Sequence, residues 1–547
     1  MRIIRSLPFA LLLLPALAAA QQRGAPPMSP AAIRVRLERY ADDSMRGRLT
    51  GSPDNVKATK YIADELRAMG LRPAGDSGSF LQRVPLARLV LDTATSAITL
   101  GSQLLRPYVD YLPRNQGPNA RAFDNVPVIY AGVWGDTAKL LGGEAVRGKV
   151  VLLATPPGEY SVIKLQAQQR FAAANAIVIA NFDLTPADLR AQMAAAQLFP
   201  AELFTQLSMM PVLPAYLHIR LADGLRLLGV TAFAEAAPGR EAPAIRGTIS
   251  FRQAPAEAYN VVAIVPGSDP ALKDEYVAVG AHNDHVGVGP AQDKDSVLAF
   301  TRELRAKQLA AGTPVTAELV NSVHVNMDSI RRIYPTPRLD SIYNGADDDG
   351  SGSMGVLEVA RAFAAQRQKP KRSIIFVWHT GEELGLFGSQ YFTDHPTVPR
   401  EQIVAQLNLD MIGRGKPGDE KDGGPNYIQL IGSRRLSTQL GDLVEKVSVD
   451  GKFNWAFDYQ YDVAGHPEQY YCRSDHYMYA RYGIPIVFMS TGGHAEYHEV
   501  TDEVSTIDFD KISKVARYTY ALATAVANGA RPVVDKPKPD PRGQCVQ

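Results

Sequence analysis

Apolar residues in this chain follow two patterns, and each predicts a different kind of element. In 275–282 (EYVAVGAH), 372–380 (RSIIFVWHT), 402–411 (QIVAQLNLDM) and 484–490 (IPIVFMS) they form nearly continuous runs without strict alternation. Such runs suit strands covered on both faces, so they predict a mixed, mostly parallel sheet sandwiched by helices, an α/β fold. The segment AYNVVAIVPG opens this region, SMGVLEVARAFAAQ lies within it as a helix, and SKVARYTYALATAVAN closes it as another. The second pattern is helical and appears early. Ala58, Ile62, Leu66 and Met69 recur at spacings of three and four, and Gly70 supplies a stop, so one apolar stripe should pack on the sheet. With PAAIRVRLERY before it, this stretch reads as two helices around a Gly-rich turn.

The texture changes at about residue 119. VPVIYAG, GKVVLLA, AIVIANF and VLPAYLHI are short and β-branched, separated by Gly, Pro and Ala-rich helical stretches, as in a small mixed α/β domain. The expected organisation is therefore one catalytic domain from 29–118 and 253–530, an inserted domain over 119–252, and a tail over 531–547. A further insertion, 291–338, contains two helical patterns interrupted by Gly312-Thr313-Pro314. It reads as a solvated helical excursion, because surface loops accept long inserts at little thermodynamic cost. Its place just after a candidate ligand leaves a lid over the site as the other reading.

The N-terminus has a targeting pattern: Arg2 and Arg5 precede the apolar run Leu7 to Leu17, and Ala18-Ala19-Ala20 precedes Gln21. A positive start, a short apolar run and small exit residues describe a secretory signal over 1–20, which predicts export to a periplasm or the cell exterior. The run is shorter than the ~20 residues of a spanning helix, so no membrane association is expected after cleavage. The two cysteines, Cys472 and Cys545, are spaced unlike a metal site. A bridge between them would close roughly 73 residues; a buried free thiol at Cys472 is the alternative. With 58 Lys and Arg against 57 Asp and Glu, the net charge of +1 offers no field for nucleic acid.

The chemistry is concentrated in five short motifs: AHNDH, NGADDDGSG, HTGEELGLFGSQ, NLDMIG and EYHEVTD. Imidazole nitrogen and carboxylate oxygen are zinc donors, and a pair of metals needs one carboxylate that reaches both. In the acidic triplet flanked by glycines that bridge is assigned to the middle residue, Asp348, although a calcium loop or a plain acidic turn would have the same composition. His282 stands at a strand end, with His285 as a competing ligand. Asp284 two residues on could accept the remaining ring N–H of His282. Glu382 and Glu383 are adjacent and diverge in direction, so Glu383 can ligate a metal while Glu382 serves as general acid/base. Asp410 ends its strand. His498 has His494 and Glu499 as competitors, Tyr497 beside it is placed to donate to an oxyanion, and Asp502 either orients the imidazole or caps the following helix.

In this order, together with SDHYMYARYGIP, these motifs resemble metallopeptidase family 28, the co-catalytic zinc aminopeptidases. The resemblance implies a zinc exopeptidase fold and two zinc ions per chain, held by His282, Asp348, Glu383, Asp410 and His498. It also implies that Asp348 bridges with a cis peptide after it, that Glu382 is the general base, and that Tyr497 steadies the transition state. Residues 119–252 resemble the protease-associated domain inserted in many members, whereas 291–338 departs from the compact link usual in the family. The expected activity is removal of N-terminal residues from peptides. Three alternatives stand beside it: a carboxypeptidase or dipeptidase with the same metals using Arg414 or Arg473 for the substrate carboxylate, a single-zinc glutaminyl cyclase, and a non-catalytic receptor-like relative, which would have lost one or more of these positions.

Overall fold

The computed structural model describes residues 27–114, 121–135, 139–156, 169–184, 198–209 and 212–547, so the expected signal segment, 1–20, lies outside the described residues. The chain divides into two compact units, one made of the described residues up to Val84 with Glu257–Gln547, the other being Pro85–Ala256.

The larger unit is built on a nine-stranded mixed sheet. Its strands are β1 (Arg72–Pro73), β2 (Leu81–Arg83), β3 (Tyr259–Val265), β4 (Tyr276–His282), β5 (Ser373–His379), β6 (Ile403–Leu409), β7 (Tyr427–Ile431), β8 (Ala456–Asp458) and β9 (Ile486–Ser490). The spatial order is β1-β3-β5-β4-β6-β9-β7-β8, with β2 also paired to β3. The four central strands, β5-β4-β6-β9, are parallel, while β3 and β7 join them antiparallel.

The continuous apolar runs are explained by cover on both faces. In β4, Val277, Val279 and Ala281 join one core with Ile62 and Leu66, whereas Tyr276 and Ala278 face a second core with Phe392, Ile486 and Phe488. Helices α1 (Pro30–Tyr40), α2 (Pro53–Ala68), α4 (Gly352–Ala365) and α6 (Phe509–Asn528) contribute to the first core through Leu37, Ile62, Phe363 and Leu522, all fully buried. Each such side chain contributes roughly 1.5–3 kcal/mol relative to exposure. The predicted stripe of α2 is in place: Ala58, Ile62 and Leu66 are fully buried, and Met69 packs at the edge of the same core. Helix α5 (Thr438–Asp450), unremarked in the sequence, also packs there through Leu440 and Val444.

The smaller unit begins earlier than the sequence texture indicates. Residues 85–114 do not belong to the larger unit, because their strands pair with distant ones. Leu86–Leu91 pairs with Phe251–Ala256, Ala97–Leu100 with Glu241–Thr248, and Tyr111–Arg114 with Ala215–Ile219. Partners more than 100 residues apart leave no local signal. At the centre of this unit Val126–Val133, Val150–Ala154, Ala176–Ala180 and Ala215–Ile219 form a parallel array.

The 291–338 insertion rises from an antiparallel ribbon, Val288–Asp293 with Leu339–Ile342. Helix α3 (Lys294–Ala311) follows and ends at Gly312, whose left-handed backbone closes it. The single second helix expected from the pattern is instead two short ones, Ala317–Asn321 and Met327–Ile333. The Asn326 side chain accepts from the Ser329 N–H and so starts a new helix in mid-pattern.

Candidate metal centre

Four of the six central candidates sit at or just beyond the carboxyl ends of the parallel strands, where α/β sheets place their ligands. His282 is the last residue of β4, Asp410 follows β6, and Glu382 and Glu383 follow β5. Asp348 lies in the turn before α4, and His498 in the loop after β9.

The acidic triplet has three separate functions. Asp349 accepts backbone N–H groups from His282 (3.1 Å), Gly352 (3.0 Å) and Met411 (3.1 Å). Asp347 accepts from the Gly413 N–H at 2.7 Å. Asp348 alone turns both oxygens to imidazoles: Oδ1 is 3.1 Å from His282 Nε2, and Oδ2 is 3.0 Å from His498 Nε2. The peptide between Asp348 and Asp349 is cis. Two glycines make the turn possible. Gly345 has φ +55°, and a Cβ there would lie 2.2 Å from the Asp348 carbonyl oxygen; at Gly352 one would lie 2.3 Å from both Asp349 Oδ1 and the Leu409 carbonyl oxygen.

Around Asp348 the donors separate into two groups. On one side stand His282 and Asp410, 3.6 Å apart, and Asp410 accepts from the Ser474 hydroxyl at 2.7 Å. On the other stand His498 and Glu383, 2.9 Å apart. His285 joins this second group, with Nδ1 at 2.7 Å from Glu383 Oε1 and 3.8 Å from Asp348 Oδ2. His285 Nδ1 therefore sits with the carboxylates of the second group and away from His282 and Asp410. His494 is turned elsewhere, with Asp347 and Glu496 each 3.4 Å from its ring nitrogens.

The donor set fits a pair of divalent cations. The Nε2 atoms of His282, His285 and His498 are buried without a hydrogen-bond partner, and imidazole with carboxylate is a zinc-type set. The charge balance points the same way. Burial pulls the His282 ring down, but Asp284, Asp348 and Asp410 outweigh it and hold the imidazole well above its ordinary range. At His498 burial is likewise outweighed, by Asp348 and Glu383, which push it up to about 10. A field that retains protons this strongly is the field a metal cation would meet. Glu382 differs from its neighbour. Burial, then Asp410, Glu383 and Asp475, push its carboxyl well above the carboxylate range despite His282, whereas at Glu383 the two imidazoles His285 and His498 overcome burial and Asp348 and hold it low.

The outer positions have the following partners. Asp284 stands behind His282, but the ring's Nδ1 meets the Asp284 carbonyl oxygen at 3.1 Å, while the carboxylate lies 3.6 Å away. That carboxylate accepts from the Glu382 N–H at 3.2 Å and the Thr50 hydroxyl at 2.8 Å, so it also fixes the Glu382 backbone. Asp502 neither orients an imidazole nor caps a helix. Its carboxylate accepts the N–H groups of Asp347 and Asp348, and the cap of α6 is Asp508. The reason is length: Asp502 sits where its short side chain meets the backbone of the acidic turn. Tyr497 stacks on His498 with ring centroids 4.0 Å apart, and its hydroxyl is 3.5 Å from the Arg473 guanidinium.

A cavity of about 540 Å³ opens on Asp348, Glu382, Asp410 and Tyr497. The insertion is not a detached excursion: Thr301, Leu304 and Gln308 of α3, then Pro314 and Val315, line this cavity. Side-chain chemistry alone carried no sign of it, because none of these residues is charged or a metal donor.

Residues 260–523 match the family described as Peptidase family M28. Leucine aminopeptidase 1 of Ajellomyces capsulatus (strain G186AR) is 30% identical over 224 residues, covering 39% of this chain and 53% of that protein. Leupeptin-inactivating enzyme 1 of Streptomyces exfoliatus is 31% identical over 206 residues, 35% of this chain and 46% of that protein. The chain thus spans about half the length of the curated relatives it matches. Among solved structures, a zinc aminopeptidase from Bacillus subtilis is 16% identical, with a TM-score of 0.48 over 93% of this chain and 99% of that one.

Proposed function

Because residues 260–523 match peptidase family M28, we propose that this protein is an exported, zinc-dependent aminopeptidase that removes N-terminal residues from peptides. The observation that carries the reading is the division of the Asp348 carboxylate, one oxygen toward His282 and the other toward His498. His282, Asp348 and Asp410 would hold one zinc ion, and Asp348, Glu383 and His498 the other. When bound, the pair supplies Lewis-acid polarisation and lowers the pKa of water at the site. Glu382 takes the proton of the attacking water on its carboxylate and returns it to the nitrogen of the departing amine. Burial, with Asp410, Glu383 and Asp475 beside it, raises the basicity of this carboxylate, which suits uptake of that proton. The Tyr497 hydroxyl is the donor for the oxygen that becomes anionic, with Arg473 beside it keeping the phenol in the cavity. Burial, Asp348 and Glu383 hold this phenol well above its usual range, so it remains an O–H donor.

Export is supported by the signal-like pattern of 1–20 and by the Cys472–Cys545 disulfide, since such bonds persist in oxidising compartments. Among the described residues no helix is long and apolar enough to cross a membrane. The separate unit Pro85–Ala256 supports the reading of 119–252 as a protease-associated insertion. The carboxypeptidase or dipeptidase reading loses one of its two arginines: Arg414 is buried against Asp419 and Glu496, at 3.3 and 2.5 Å.

The test is an assay of the purified chain on free-amine and N-blocked peptides, with and without chelator, beside Glu382→Gln. We expect turnover of free-amine peptides alone, loss with chelator, and a rate loss of at least ~100-fold in the variant with its metal retained. Equal turnover of blocked peptides would overturn the aminopeptidase reading, and indifference to chelator would overturn the metal centre.

A further inference from the structure

The insertion gives this centre a fixed wall that the five motifs do not require. Helix α3 contributes Leu304 and Gln308 to the cavity, and Val315 follows just after it. The wall is pinned through Arg305, whose side chain is only 13% exposed. Its guanidinium donates to the carbonyl oxygen of Asp419 at 2.8 and 2.6 Å and to that of Gly493 at 3.0 Å. It also pairs with the buried Glu420 carboxylate at 2.9 Å, and Glu420 in turn accepts from the Tyr461 hydroxyl at 3.2 Å. Tyr461 is itself a lining residue. The bridge Arg305–Glu420–Tyr461 therefore ties α3 to the 461–470 segment on the same cavity. A second tie, Arg302 to Glu496 at 3.2 Å, joins α3 to the loop that carries Tyr497 and His498.

We propose that the insertion makes this centre selective for short peptides, by closing the cavity beyond the first few residues of the substrate. The proposal rests on the aminopeptidase reading and names its substrate class. A volume of about 540 Å³ falls within the range, roughly 300–1,000 Å³, that encloses a drug-sized molecule, hence a peptide of a few residues. A longer chain that extends over α3 meets a helix that buried charge pairing holds in place; displacing it would leave Glu420 buried without its cation, an expensive state. Leu304, Val315 and Tyr470 line the cavity beside Gln308, Glu468 and Arg473, a mixed lining, so the selection is by length.

The experiment uses the zinc-loaded full chain and a series of leucine-initiated, free-amine peptides of three, five, nine and fifteen residues, on the wild type, Leu304→Gly and Arg305→Ala. We expect kcat/KM to fall at least tenfold from the shortest to the longest peptide in the wild type. In Leu304→Gly, which opens the wall without touching the bridge, that ratio should shrink to under threefold. Arg305→Ala should do the same if it melts cooperatively, and Leu304→Gly decides the matter if it does not. A wild type that cleaves all lengths equally, or a ratio unchanged in Leu304→Gly, overturns the length proposal and leaves the aminopeptidase reading intact. Cleavage of N-blocked peptides in place of free-amine ones overturns both.

Discussion

The carboxylate of Asp502 holds the backbone of Asp348: its Oδ2 accepts the Asp348 N–H at 3.1 Å, and both oxygens lie within 3.1 Å of the neighbouring Asp347 N–H. The Asp502 carbonyl oxygen adds a bond from the Ala346 N–H at 3.1 Å. An acidic turn whose amides are held this way presents the Asp348 side chain in one direction. Asp502→Ala should therefore lower zinc affinity by ~10–100-fold, the usual effect of removing a group that orients a ligand. Competition with a chromophoric chelator measures this, and an unchanged affinity would remove Asp502 from that role.

The triplet predicts a contrast between adjacent aspartates. Asp349→Ala deprives three N–H groups of their acceptor, those of His282 and Gly352 buried and that of Met411 partly so, and each buried one costs ~1–3 kcal/mol when left unpaired. We expect a loss of at least about 2 kcal/mol in denaturant titration. Asp348→Asn should keep most of the stability of the metal-free chain yet bind fewer than two zinc ions by elemental analysis. The reverse pattern would reassign the two residues.

Cys472 and Cys545 are bonded across 73 residues. In the chain-entropy model, closing a loop of that size stabilises by ~4 kcal/mol. Cys545→Ser should lower unfolding stability by about that amount relative to the oxidised wild type, and the two should converge under reductant. Cys472 precedes Arg473 and Ser474, and Ser474 donates to Asp410, so activity should fall together with stability.

His218 makes the smaller unit sensitive to acid. The ring is fully buried, with Nδ1 2.6 Å from Asn181 Oδ1, and burial, with Arg114 adding to it, brings it down to about 3. An unfolded histidine titrates near ~6.5. Below that pH the unfolded chain takes up a proton that the folded unit refuses, so stability present above ~6.5 is lost as pH falls toward 3, at up to ~1.4 kcal/mol per unit. Denaturant midpoints from pH 7 to 4.5 should fall more steeply for the wild type than for His218→Leu; parallel curves would count against it.

Much of the larger unit was legible because its physics is local. A strand covered on both faces must be apolar at every position, so 275–282, 372–380, 402–411 and 484–490 announced β4, β5, β6 and β9 within two residues. Strand β7 and helix α5 escaped notice, and the strands of 85–114 did too, because their partners are far away in the chain. At the site, residue types at strand ends supplied the candidates. The choice among neighbours did not follow from type: Asp347, Asp348 and Asp349 are identical in sequence terms, as are His494 and His498.

The sequence by itself determined which donors the protein brings to its centre, since zinc-type chemistry needs imidazoles and carboxylates and they occur where strands end. Only the tertiary structure decided which of them remain available. Asp347 and Asp349 are taken by backbone N–H groups, His494 lies between Asp347 and Glu496, and Asp348 is left with both oxygens directed at His282 and His498. It decided the insertion in the same way, because the partners of Arg305 at Asp419, Glu420 and Gly493 are more than 100 residues away. Hydrogen-bond partners at such separations are set by packing, and no periodicity in the chain encodes them.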